Sequence, residues 1–201
     1  MERMRKTTQS RKTLQRLGLW VYTLSMYERL AGSDTISGTL PSGDRGTGAT
    51  LRLMRQLAAA GSKDMTVRDT AIHVVGQSGA LAHDYPGQLR ALFEFVRDCV
   101  MFVRDVFNVE TLQSPAKTLS VGAGDCDDRA TLLVALARSI GIPADFRFRV
   151  IAADPSNPSS FSHVYVVARM NGRDIALDPT YRSNAMGYEY PLRYRVGEAF
   201  A

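Results

Sequence analysis

Three residues far apart in the chain are of the types that together carry out nucleophilic acyl transfer: Cys126, His163 and Asp178. A thiol needs a base to become a thiolate, and an imidazole needs a carboxylate to fix its tautomer and stabilise its cation. Cys126 lies in Gly122-Ala123-Gly124-Asp125-Cys126-Asp127-Asp128, a glycine-loosened turn ahead of a helix expected from Asp127 to about Ser139. The middle of that helix, Thr131 to Ala137, is apolar on every face, which predicts a buried rod. Gly141 is placed to cap it in left-handed backbone, and Pro143 prevents its continuation. A helix start favours a thiolate over a thiol, and its N–H groups can receive a negative oxygen forming on a substrate carbonyl. Asp125, Asp127 and Asp128 are natural first-turn residues, but their charge opposes the thiolate, so a partner cation is needed. Taken alone, Cys126 reads first as a small buried hydrophobe. The downstream residues change that reading.

His163 opens a strand expected over Val164–Arg169, and Asp178 follows another over Arg173–Leu177. Asn171-Gly172 between them is a strong hairpin signal, because both residue types tolerate positive φ. A two-residue loop there pairs 170 with 173, so paired residue numbers sum to 343. In that register His163 and Asp178 are diagonal neighbours on one face, within reach of an imidazole–carboxylate hydrogen bond. Val164, Val166, Ile175 and Leu177 point to the other face and supply a core. His163 alone would read as a structural histidine; the register makes the pair a candidate base and its orienting acid.

Gly-Asp-Cys-Asp-Asp at 124–128, Ser162-His163-Val164-Tyr165-Val166 and Leu177-Asp178-Pro179-Thr180 resemble the transglutaminase-like cysteine–histidine–aspartate enzymes. The likeness extends to Leu112-Gln113-Ser114-Pro115 with Thr118-Leu119, and to Ala91-Leu92-Phe93-Glu94-Phe95-Val96-Arg97-Asp98. This longer pattern, over roughly residues 45–182, is similar to the small single-domain members encoded by tailed bacteriophages and prophages. The resemblance implies a papain-like α+β fold, with N-terminal helices and the nucleophile on a buried helix against an antiparallel sheet. It implies acyl transfer through a thioester on protein or peptide substrates, with water or an amine as acceptor, and no cofactor or metal. Gln113 is a candidate second donor to the oxyanion hole by position and resemblance, and reads almost as readily as a surface glutamine. A phage setting implies the host cytoplasm or the virion, and a second function class: an assembly component using the fold as an interaction module.

Composition is ordinary for a soluble globular protein. The 201 residues are 45% hydrophobic and 22% charged, enough for one domain with a core. Two cysteines make no disulfide scaffold, and no zinc-type cluster or phosphate-binding glycine loop is present. Cys99 is expected to be a buried free thiol, in a helical stripe with Leu89, Leu92, Phe93, Val96 and Val100.

The net charge of +5 is concentrated at the start of the chain. Arg3, Arg5, Lys6, Arg11, Lys12 and Arg16 stand against Glu2 in residues 1–16, and the remainder is neutral. The apolar run Leu17–Tyr22 is too short and interrupted for a signal peptide or a membrane span. Residues 1–31 therefore read as a basic arm with an amphipathic helix around 10–31. The arm is either a solvated tail or a docking segment for phage particle proteins, nucleic acid or an anionic surface. Residues 32–48 read as a linker, and 49–201 as the transglutaminase-like domain.

Within that domain, helices are expected over Gly48–Ala60, Met65 to about Gln77 and Gly87 to about Val100. Strands are expected at Met101–Val106 and Phe146–Ile151, with an irregular approach over Asn108–Val121. His73 reads as structural, and His83 has no carboxylate partner in a calculable register. The polar loop 154–160 is placed to shape a cleft beside His163. The tail with Tyr181, Tyr188, Tyr190, Tyr194, Arg182, Arg193 and Arg195 reads chiefly as cover for a sheet edge, with partner binding as the alternative.

Overall fold

The computed structural model describes residues 28–29, 35–38, 43–105, 110–191 and 194–201. It is organised around the helix that begins at the cysteine. Among the described residues, four helices precede that one: α1 (Asp44–Gly61), α2 (Met65–Ser78), α3 (Tyr85–Cys99) and α4 (Pro115–Val121). All four pack against α5 (Cys126–Ser139). Leu51, Met54, Leu57 and Ala58 form the buried stripe of α1, and Leu89, Leu92, Phe93 and Val96 that of α3. Asp64 and Asp84 cap α2 and α3 by accepting main-chain N–H groups, so the polar starts of these helices are satisfied.

A four-stranded antiparallel sheet closes the other side of α5. Its order is β8 (Arg173–Leu177), β7 (His163–Met170), β6 (Asp145–Ile151) and β9 (Val196–Phe200). Phe146, Phe148, Val150, Val164, Val166, Ala168 and Leu177 join the core that contains α5. Leu132, Leu133 and Leu136 are completely buried within it, each contributing about 2 kcal/mol by transfer out of water. Ile151, Tyr165, Val167 and Ala176 form a smaller cluster on the opposite face, covered by Tyr190 and Tyr194. This is a mixed helix-and-sheet, papain-like arrangement, with the cysteine-bearing helix buried between helices and an antiparallel sheet.

The hairpin register is the one calculated from Asn171-Gly172: Met170 pairs Arg173, and the ladder continues to Val166 and Leu177. Both turn residues have positive φ, 51° and 76°, as the short loop demands. Helix α5 ends as expected, with Gly141 at φ 75° and Ile142 donating back to the Ala137 carbonyl at 3.1 Å. It starts one residue earlier than expected, at Cys126, because Asp125 is the cap and accepts from the Asp128 N–H.

Several local readings are corrected. The irregular approach over 108–121 contains β4 (Glu110–Gln113) and α4. The stretch read as linker contains β2 (Thr35–Gly38), which pairs antiparallel with β4, and the start of α1 at Asp44. The β2–β4 partners lie some seventy residues apart, so local composition cannot announce them. Glu28–Arg29, assigned to the basic arm, form β1 on the edge of β2. Of the strand expected over 101–106, the described residues 101–105 hold only β3 (Met101–Phe102), parallel to β5 (Ala123–Gly124). Cys99 is exposed, not buried. It is the last residue of α3, and Val100, in extended backbone and 4% exposed, takes the buried place. In place of the sheet-edge cover expected of the tyrosine-rich tail, Tyr190 and Tyr194 pack on the outer face of the sheet, and β9, beyond the tail, extends the sheet by pairing with β6. The expected arm residues 1–27 lie outside the described residues. Among the described residues, no helix is long and apolar enough to cross a membrane.

Candidate active site

Cys126 is the first residue of α5, where main-chain N–H groups point out of the helix. The backbone must pass close to the helix just before it. A Cβ added at Gly124 would meet the Asp128 Cβ at 2.7 Å, so only glycine fits that approach. Cys126 and His163 line one cavity of about 320 Å³, with Asp125 and Asp127, the N-terminal half of α1 as far as Met54 and the segment Ser160–Ser162. The polar loop before β7 thus contributes a wall.

His163 Nε2 lies 2.9 Å from Asp178 Oδ2, and both residues are buried. This bond spends Nε2, leaving Nδ1 as the other ring nitrogen. Burial would raise the Asp178 carboxyl. The His163 bond and charge, the Tyr190 hydroxyl and the Thr180 N–H outweigh it and hold the group below the usual carboxylate range. Asp178 also accepts from Asn184 Nδ2 at 3.0 Å and from Tyr190 Oη at 2.5 Å. The same Tyr190 oxygen is 3.3 Å from His163 Nε2. Asn184 and Tyr190 are the residues that sequence reasoning missed, since no register links the 181–191 turn to the hairpin. The concentration of tyrosines there was the available signal.

The three acidic residues around Cys126 do not act as three full negative charges. Burial pushes the Asp127 carboxyl well up, reinforced by Asp125, by the Cys126 sulfur and by Asp128. Burial likewise pushes Asp128 up to about 7, with Asp125 adding to it and bonds from Gln113 opposing. The repulsion expected against a thiolate is thereby reduced. A buried cation adds to this. Arg129, 2% exposed, carries its charge near both Asp178 and Cys126.

Gln113 is placed by β4 against the first turn of α5. Its main-chain N–H donates to Asp128 Oδ1 at 2.7 Å, and its Nε2 to Asp128 Oδ2 at 2.8 Å and the Ala123 carbonyl at 3.2 Å. These bonds occupy both amide hydrogens, and Gln113 is not among the residues lining the cavity. Its visible work is to hold Asp128 and the cysteine turn. His73 is exposed on α2, and His83 Nδ1 meets the Tyr85 hydroxyl at 3.1 Å; neither lines the cavity. Among the described residues, the one grouping of metal-ligand types is Asp125, Cys126 and Asp127, in this same cavity.

A fold with a cysteine at a buried helix start and an adjoining histidine–aspartate hairpin defines a papain-like class. The transglutaminase-like superfamily model matches residues 73–179, just over half of the chain, and the chain belongs to that superfamily. Two solved structures are similar. One, from Parabacteroides distasonis and described as a candidate protease, is 13% identical with a TM-score of 0.50, over 80% of this chain and 33% of its own. The other, from Cytophaga hutchinsonii and described as a candidate cysteine protease, is 18% identical with a TM-score of 0.43, over 68% and 48%. The chain therefore spans less than half the length of either. No curated protein sequence matches it.

Proposed function

We propose that the chain is a thiol-dependent acyl-transfer enzyme, of peptidase/amidase or transglutaminase type, acting on an amide through Cys126, His163 and Asp178. The observation that carries this reading is the 2.9 Å His163–Asp178 bond beside a cavity that His163 shares with Cys126. In the mechanism, His163 takes the Cys126 proton through Nδ1, and the thiolate attacks the amide carbonyl. The N–H groups at the start of α5 receive the oxyanion. The imidazolium, held by Asp178, protonates the leaving amine. Water or a second amine then attacks the thioester, with His163 taking its proton. Gln113 would join the oxyanion hole only by releasing one of its present bonds; its part here is to position the turn.

The resemblance to phage-encoded single-domain members supports a setting in a bacterial host or a virion, with protein or peptide substrates. The basic residues 1–16 would then dock the enzyme on a particle protein or nucleic acid.

The test is capture of the thioester. The protein is incubated with a peptide library, quenched in acid and weighed intact. Acyl adducts on wild type and none on Cys126→Ala are expected, and products formed in ¹⁸O-water or with added amine separate hydrolysis from transfer. A reactive Cys126 that never acylates would favour the assembly-module reading.

A further inference from the structure

We infer that Tyr190 is a positioning residue of the site: its hydroxyl holds Asp178 in place and limits how strongly that carboxylate draws on the His163 imidazole. The inference rests on the triad reading above, and it brings in a residue beyond the matched span 73–179.

Asp178 Oδ2 is a shared acceptor. It takes the His163 Nε2 bond at 2.9 Å, the Tyr190 hydroxyl at 2.5 Å and Asn184 Nδ2 at 3.0 Å. Oδ1 is held by the Thr180 N–H at 2.9 Å. Each donor to a carboxylate lowers the charge it can lend to another partner. A tyrosine proton on Oδ2 therefore weakens Asp178 as an acceptor for the imidazolium while fixing where that oxygen sits.

The ring that carries the hydroxyl is itself fixed. Tyr190 is half-buried in the outer cluster, 5.4 Å from the Tyr165 ring and 5.6 Å from the His163 ring. Its main-chain neighbour Glu189 ties to Arg149 at 2.5 Å and accepts the Tyr165 hydroxyl. Gly187 anchors the same turn by donating to the Ala176 carbonyl on β8 at 2.8 Å. The turn is thus fastened to the strand that presents Asp178. The charged and titratable groups around the pair are Cys126, Asp127 and Arg129 from α5 with its cap Asp125, Tyr165 from β7, and Tyr181 with Tyr190 from the turn.

Tyr190→Phe removes only the hydroxyl and keeps the ring that packs the cluster. The chain holds three histidines, so His163 can be titrated by ¹⁵N NMR with His73 and His83 as internal references. In Tyr190→Phe the His163 midpoint is expected to rise by about one pH unit, the scale of one charge-assisted hydrogen bond. His73 and His83 should not move. Alkylation of Cys126 should also change its pH profile rather than fall uniformly. Tyr188→Phe, which deletes the hydroxyl of a ring 5.4 Å from Tyr190 that makes no bond to Asp178 or His163, should leave the His163 midpoint in place. An unmoved midpoint in a folded Tyr190→Phe protein overturns the inference, as does an equal shift in Tyr188→Phe. Because the titration needs no substrate, a shifted midpoint with no acyl-enzyme would uphold the role of Tyr190 and count against the enzyme alone.

Discussion

Arg129, one helical turn beyond Cys126, donates through Nη1 to the Thr180 carbonyl at 3.0 Å, two residues past Asp178. Its Nη2 donates to the carbonyls of Val96 and Arg97 at 2.9 and 2.8 Å. One guanidinium therefore ties the helix of the cysteine to the end of α3 and to the segment after β8 that carries Asp178.

Arg129→Met is expected to leave three carbonyls short of a donor and to remove the buried positive charge near Cys126. The loss should be on the order of 3 kcal/mol, read as a lower urea midpoint. Arg129→Lys should recover little, because an ammonium cannot span three acceptors in a planar fork. A midpoint unchanged in Arg129→Met would refute the tie.

Cys126 should alkylate with iodoacetamide at pH 6 about ten-fold faster than Cys99 or more. Exposure does not explain the difference, since Cys99 is the more exposed of the two. Peptide mapping over time measures both sites in one sample. Equal rates would remove the claim of a favoured thiolate.

Asp178→Asn should slow acyl transfer by about 10²-fold or more, since the amide cannot hold the imidazolium. The carboxyl has a folded pKa below its unfolded value, so its stabilisation is complete above the ordinary carboxylate range and is lost as pH falls through the depressed value. Acid unfolding of wild type should therefore contain a step that Asp178→Asn lacks, measured by circular dichroism between pH 4 and 2.

Asp127 and Asp128 act with the opposite sign. Their folded pKa values lie above the unfolded ones, so the folded state binds more protons and stability falls as pH rises above the ordinary carboxylate range, for Asp128 through about 7. Thermal melts at pH 5.5 and 7.5 should show the higher Tm at the lower pH. Asp127→Asn should flatten the difference, and an unchanged slope would count against the buried-carboxyl account.

Deletion of residues 1–27, which keeps β1, should leave the Tm and the reactive Cys126 intact while removing the whole excess of positive charge. Binding to an anionic partner, if carried by this segment, should be lost and should weaken with salt in the full chain. A truncated protein that no longer folds would place the segment in the core instead.

Short-range chemistry made much of the site legible in the sequence alone. Asn171-Gly172 determined the hairpin and its register, and period-2 alternation then put His163 and Asp178 on one face. An all-apolar helix interior announced that α5 is buried, and Gly141 with Pro143 announced its end. These features depend on residues within a few positions of each other, where dihedral preference and periodicity act directly. Tertiary structure alone decided the rest. The pairing of β2 with β4, the exposure of Cys99, the use of Gln113 on Asp128, and the convergence of Tyr190 and Asn184 on Asp178 all join distant or irregular segments. Such contacts form wherever the packed core leaves a donor facing an acceptor, and no local pattern records where that will be.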